Sequence, residues 1–201
     1  MILNESLKAL ILVGGKSTRM GEDKFLINYH GEAQWRHLWR LCKDVGLEPV
    51  ISCNNEQKPY FKEQEVQTIE DHSEEMTGPG QAILQALSAF NGTSFLVLAC
   101  DIPLITPESV RYLINCRKSE MEATAYMDPK LNLPEPLFAI WEHHSLLNFQ
   151  WKYESGMHCP QKILMNSDIE KVYPDDTLII ANANTQQERQ YVVNNIREVR
   201  Q

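Results

Sequence analysis

Short apolar runs and stretches of helical spacing take turns along the chain, and each pattern ends in polar or glycine-containing residues. Residues 9–13 are apolar and β-branched enough to form a strand covered on both faces. Residues 25–29 read as a short strand or extended arm closed by His30-Gly31. Trp35, Leu38, Leu41, Cys42 and Val45 recur at helical spacing while Arg36, Arg40 and Lys43 fall on other faces, which predicts a first helix with Trp35 and Trp39 as core and rim packing. Pro49–Cys53 is a second strand, and residues 66–71 alternate as a third. Ile83, Leu84, Leu87 and Phe90 share a helical face, with Pro79 suited to that helix's first turn. Residues 94–100 form the most apolar run, expected to be a central parallel strand, and Thr106-Pro107-Glu108 marks a helix start. Residues 122–127 and 137–141 read as two more strands separated by a proline-rich link, with a helical segment from His143-His144, both histidines on its surface, and a turn at 156–160. Residues 177–181 are expected to be a last strand. Thr185-Gln-Gln-Glu188 is then a capping box for a helix with Tyr191, Val192, Ile196 and Val199 on its buried side.

Alternating strands and helices imply a three-layer α/β domain with a mostly parallel sheet, and no repeat or linker divides residues 1–201. In such sheets ligands meet the carboxyl ends of the strands. That directs attention to the first strand, which runs into Gly14-Gly15, with Arg19 and Lys24 close behind. A glycine turn exposes bare N–H groups that suit phosphate oxygens, and a loop folding back over a nucleotide would bring both cations onto its phosphates. A P-loop ending in Gly15-Lys16-Ser17 would need a glycine where Leu10 stands, and the dinucleotide fingerprint fails because Gly14 and Gly15 are adjacent.

Composition narrows the partners. The 201 residues carry a formal net charge of −8, which opposes nonspecific nucleic-acid binding and requires an anionic ligand to be met by a local cluster of cations and a metal ion. No run is apolar enough to span a membrane, and the first residues do not read as a signal peptide; a cytoplasmic protein is expected. The 5 cysteines include no C-x-x-C pair, which points to reduced thiols and away from zinc. Cys100 reads as core packing.

Residues 12–24, L-x-G-G-x-S-x-R-M-G-x-D-K, resemble the signature of the molybdenum cofactor guanylyltransferase (MobA-like) nucleotidyltransferases. The resemblance extends to the C-D-x-P pattern at Cys100-Asp101-Ile-Pro103, Gly78-Pro79 and the N-x-N-T-x-x-E ending from Asn182 to Glu188. It implies a Rossmann-like nucleotide-diphospho-sugar transferase fold and transfer of GMP from Mg²⁺–GTP to a molybdopterin-type phosphorylated acceptor, by direct attack and with loss of pyrophosphate. It implies backbone contacts to the nucleotide from Leu12, Val13, Gly14 and Gly15. Phosphate neutralisation falls to Arg19 and Lys24, Mg²⁺ binding to Asp101, and contacts near metal and acceptor phosphate to Asn182 and Asn184. Asp71 is a contact to base or ribose or a turn cap; Asp101 has capping as its alternative, and the asparagines an ordinary turn.

The chain departs from the family at Ser52, where an asparagine is usual, with Asn54 as a shifted candidate. It departs again at Gly80-Gln81-Ala82, and at Glu135-Pro136 in place of H-P. A cytidylyltransferase or sugar-phosphate nucleotidyltransferase therefore stays open, as does a nucleotide-binding regulator without turnover. The expected partners are an NTP and the phosphorylated acceptor, with no nucleic acid or membrane, in a monomer or weak homo-oligomer. The His158-Cys159 turn is a further candidate for the acceptor site.

Overall fold

The computed structural model describes residues 6–14, 23–70 and 78–199, with side chains given to residue 196. Seven strands form one sheet: β1 (Ser6–Leu12), β2 (Pro49–Cys53), β3 (Thr68–Glu70), β4 (Thr93–Ala99), β5 (Ala123–Asp128), β6 (Leu133–Trp141) and β7 (Ile169–Val172). Their spatial order is β3-β2-β1-β4-β6-β5-β7, parallel throughout except for β6, which runs against both neighbours. The helices are α1 (Gln34–Asp44), α2 (Lys58–Glu63), α3 (Pro79–Ala89), α4 (Pro107–Asn115), α5 (Leu146–Glu154), α6 (Pro160–Met165) and α7 (Gln186–Val199).

The continuous apolar runs become central strands because both of their faces are covered. Ala9, Ile11 and Val13 of the first run, with Leu96, Leu98 and Cys100 of the fourth strand's run, pack under α1, α2 and α4. The alternate residues Leu10, Leu12, Phe95, Val97 and Ala99 pack under α3, α5 and α6. The three-layer expectation therefore follows from period-two side-chain alternation in strands with no polar face. Trp35 is core, buried against Tyr60 and Phe61 at ring separations of 6.1 and 5.2 Å, and Trp39 is partly buried at the rim.

Several expectations are corrected. Residues 177–181 form no strand; Thr177–Ile180 is a 3-10 turn opened by Asp176, whose carboxylate accepts the Leu178 N–H at 2.9 Å. Leu178, Ile179 and Ile180 fit a half-buried helical turn as well as a strand, and the sheet edge is instead taken by β7, whose half-polar Ile169-Glu-Lys-Val172 gives little apolar signal. The proline-rich link is shorter than expected because β6 begins at Leu133 and includes Pro134 and Pro136. Both prolines lie beyond the last residue paired with β4, where one side of the strand needs no ladder donor. Lys24–Leu26 is a 3-10 turn, followed by an arm in which Phe25, Ile27 and Tyr29 are buried and Leu26 and Asn28 exposed. Tyr191 is 55% exposed, and among the described side chains the buried side of α7 is Val192 and Ile196; the Val199 side chain lies outside them. The short helices α2 and α6 had no clear periodic signal.

Candidate active site

A cleft of about 540 Å³ opens at the carboxyl edge of the sheet. It is lined by Leu12, Val13 and Gly14 after β1, Ser52 to Asn54 at the end of β2, Ala99 to Asp101 at the end of β4, Gly78 and Pro79 at the start of α3, and Lys24. Three adjacent parallel strands all finish here, so one fold places residues distant in sequence around a single cavity. Gly78 has φ of +145°, open to glycine and strained for any other residue, and it turns the chain into α3.

Lys24 is the centre of the polar contacts. Its Nζ donates to Asp101 Oδ2 at 3.3 Å and to Asn184 Oδ1. Packing on two sides holds the lysine there. Phe25 is buried against Tyr60 and Phe61, at 5.6 and 5.4 Å between ring centroids, while Ile27 and Tyr29 pack with Val192 and Ile196 of α7. The Asn182–Asn184 segment is tied to the same point because Ala183 N–H donates to the Asp101 carbonyl at 2.8 Å. Thr185 and Glu188 form the expected reciprocal cap behind it, with Glu188 Oε2 also accepting the Asn184 N–H at 2.9 Å.

Asp101 caps no turn among the described residues. Among the described residues its carboxylate accepts no backbone N–H; Oδ2 meets Lys24, and Oδ1 is buried without a hydrogen-bond partner. An orphaned carboxylate oxygen beside a cleft suits a hard cation, since divalent magnesium and its relatives take oxygen ligands from one or two carboxylates and substrate phosphates. The asparagine amides beside it are neutral oxygen donors of the same kind.

The backbone of the first loop is partly committed already. Val13 N–H donates to Ser52 O at 3.2 Å and Val13 O accepts Gln57 Nε2 at 3.1 Å, so the first backbone donor left for a ligand is at Gly14. Gly14 stands open, with nothing within 4 Å of where a Cβ would be. Gln57 was missed in the sequence. It also bridges the turn after β2 through both Asn54 N and Asn54 Oδ1, a stitching role that only the fold reveals. Gly15, Arg19 and Asp71 lie outside the described residues.

Glu135 is the other residue the sequence undervalued. It follows Pro134 on β6, near Leu137 of the cleft wall, and its Oε1 accepts the Leu137 N–H at 3.0 Å. Burial pushes its carboxyl up to about 7; hydrogen bonds from Leu137 and the Asn182 side chain oppose that rise, and the nearby Asp101 and Asp128 charges add to it. Cys100 keeps its thiol proton, pushed well above the usual range by complete burial, and remains a packing residue.

A carboxyl-edge cleft with a lysine, a partly orphaned carboxylate and an asparagine pair, on a mostly parallel sheet, suits a phosphate-bearing ligand taken up with a divalent ion. Residues 9–167 match the model of the MobA-like NTP transferase domain. The chain is 34% identical over 179 residues to the molybdenum cofactor biosynthesis bifunctional protein of Synechocystis sp., covering 89% of this chain and 51% of that protein, so it spans about half the length of that relative. It is 32% identical to a molybdenum cofactor guanylyltransferase of Pseudomonas fluorescens, covering 88% of each. The fold matches the crystal structure of the molybdopterin-guanine dinucleotide biosynthesis protein A of Archaeoglobus fulgidus with a TM-score of 0.76 at 23% identity, over 95% of this chain and 99% of that one. The chain belongs to the MobA-like NTP transferase family.

Proposed function

We propose that the chain transfers GMP from Mg²⁺–GTP to the terminal phosphate of molybdopterin or its molybdenum-loaded form, releasing pyrophosphate. The observation that carries this reading is the meeting of Lys24, Asp101 and Asn184 at the cleft mouth, in a chain whose relatives bear the guanylyltransferase name. Gly14, and Gly15 beyond it, approach the nucleotide through bare backbone, while Ser52 and Gly78 line the cavity that takes its base and sugar. Asp71 contacts base or ribose. Lys24 swings from Asp101 to the phosphates when they arrive, and Arg19 joins it there. Asp101 would hold the divalent ion, with Asn182 and Asn184 beside it, and the ion would supply charge neutralisation for the triphosphate and the leaving pyrophosphate. The acceptor phosphate is anionic and attacks the α-phosphorus in line, so the protein contributes position and electrostatic stabilisation and needs no general base.

The test is pyrophosphate release with GTP, CTP, ATP and UTP in turn, each against molybdopterin and a panel of sugar phosphates. Release is expected with GTP and molybdopterin. A preference for CTP, or for a sugar phosphate, would overturn the guanylyl assignment.

A further inference from the structure

We propose that Asn54 and Ser52 read the edge of the nucleobase: Asn54 Nδ2 donates to a ring carbonyl, the Ser52 hydroxyl accepts from the ring N–H beside it, and the cleft thereby takes an oxo base such as guanine and refuses an amino base such as adenine. The strand order sets the direction in which a nucleotide lies. Lys24 and Asp101 meet just past the end of β4, while Ser52 to Asn54 close the cleft at the end of β2, two strands away across β1. Neighbouring strands stand about 4.8 Å apart, so the two ends of the cleft are roughly 10 Å from each other, a span suited to phosphates at one end and a purine at the other. Leu12, Pro79 and Ala82 supply apolar wall for the faces of the ring.

The polar groups at the β2 end have a fixed orientation. Gln57 N–H donates to Asn54 Oδ1 at 2.9 Å, and a backbone N–H can only donate, so the oxygen of that amide is turned to the chain and Nδ2 is left over. Gln57 itself is held from both ends, with Oε1 accepting Asn54 N–H at 3.2 Å and Nε2 donating to Val13 O at 3.1 Å. Among the described residues nothing accepts from Asn54 Nδ2. Ser52 is the independent sign of a ligand. It is only 5% exposed, it lines the cleft, and its hydroxyl has no hydrogen-bond partner among the described residues, whereas buried hydroxyls are normally paired. Within β2, Val50 packs on the α3 side of the sheet and Ile51 and Cys53 on the other, so Ser52 faces the α3 side, next to its register partner Leu12. A group that can only donate, beside a hydroxyl that can accept, is complementary to a carbonyl beside an N–H. Guanine presents that pair at O6 and N1, whereas adenine and cytosine present an amino group, which would set donor against donor at Nδ2. Uracil carries the pair on a smaller ring, which falls short of β2 when its phosphates are held at Lys24.

This inference rests on the nucleotide reading above, and the experiment separates the two. Isothermal titration of the full chain with Mg²⁺ present uses GTP, ATP and CTP, together with ITP, which keeps O6 and N1–H, and the triphosphate of 2-aminopurine riboside, which lacks both. The proteins are the parent, Asn54→Ser, Asn54→Asp and Ser52→Ala. Both Asn54 substitutions keep a side-chain oxygen for the Gln57 N–H and remove the amide donor. The parent is expected to bind GTP and ITP about tenfold or more tighter than ATP, CTP and the 2-aminopurine nucleotide. The ratio of GTP to ATP affinity should fall to about one in Asn54→Ser and below one in Asn54→Asp, whose second oxygen accepts from adenine N6. The charge added in Asn54→Asp weakens every nucleotide alike, so the ratio is the readout, and a purely structural turn would leave it unmoved. Ser52→Ala should lower the same ratio, and the 2-aminopurine nucleotide should bind Asn54→Ser as it binds the parent. A ratio unchanged in both Asn54 variants, or a parent that binds ATP, CTP or the 2-aminopurine nucleotide as tightly as GTP, overturns the proposal and leaves nucleotide binding intact; the second of these needs no variant to fold. No affinity of the parent for any nucleotide overturns both.

Discussion

Lys24 has a partly exposed ammonium group between an acid and an amide, yet the next residue in the chain, Phe25, is buried in the core. That combination separates its chemistry from the stability of the fold. Removing a preorganised cation from a phosphoryl-type transition state costs about 3 kcal/mol, or two orders of magnitude in rate. The ion pair it leaves is partly solvated and worth about 1 kcal/mol or less. Lys24→Ala is therefore expected to keep its circular dichroism and lose about a hundredfold in turnover, and a variant with parental turnover would make Lys24 a bystander. At this scale the sequence pointed to residues that the fold brings together: Ser52 and Asp101 at strand ends, Lys24 at a turn and Gly78 before a helix all reach one cleft. Glu135 and Gln57 were less legible, because their roles depend on which strand runs antiparallel and on which carbonyl a turn happens to face, and neither is written in local spacing.

Elements built on strong periodicity were legible from sequence, and those fixed by tertiary neighbours were not. The runs that became β1 and β4 carry their burial in their composition, as α1 does in its apolar stripe, whereas β7 and the turn at Thr177–Ile180 were decided by which segment could reach the free edge of β5. The contact between α3 and the 156–160 turn belongs to the second kind. Gly80, one of the positions where the chain departs from its family, lies where the start of α3 meets this turn: a Cβ there would sit 2.4 Å from the His158 carbonyl oxygen and 3.1 Å from the Tyr153 ring. The glycine is explained by this close approach, because the backbone atom it would strike cannot rotate away. Tyr153 in turn holds the His158 ring edge-on at 4.6 Å. Gly80→Ala gains helix propensity of about 1 kcal/mol but must push the turn aside, and overpacking of this kind costs about 1–3 kcal/mol. Urea denaturation should therefore show a net loss of about 0–2 kcal/mol, the sum of those opposing terms. A stabilised variant would mean that the turn yields freely and that α3 is not braced by it.

At the scale of the whole molecule, the cleft joins the ends of β1, β2 and β4 to the Lys24 turn and the start of α3. None of these segments can leave the site without opening a layer of the core. A ligand bound here should therefore report on global unfolding. With free ligand at a hundred times its dissociation constant the native state gains about 2.7 kcal/mol, which for about 200 residues raises the melting temperature by about 5–10 °C. The net charge of −8 works against any anion, so this gain must come from the local cations and from the metal. GTP with Mg²⁺ is expected to raise the melting temperature by that amount, GTP in chelator by much less, and CTP, ATP or UTP at equal concentration by less than GTP. Asp101→Asn dissects the effect further. The amide keeps the volume and an oxygen but not the charge, and it relieves the repulsion between Asp101 and Glu135, so the nucleotide-free variant should melt at or above the parental temperature. Its Mg²⁺-dependent increment should vanish. Were Asp101→Asn to melt many degrees lower when free of nucleotide and still gain the full increment from Mg²⁺–GTP, Asp101 would be structural, and the metal would have to be held from elsewhere in the cleft.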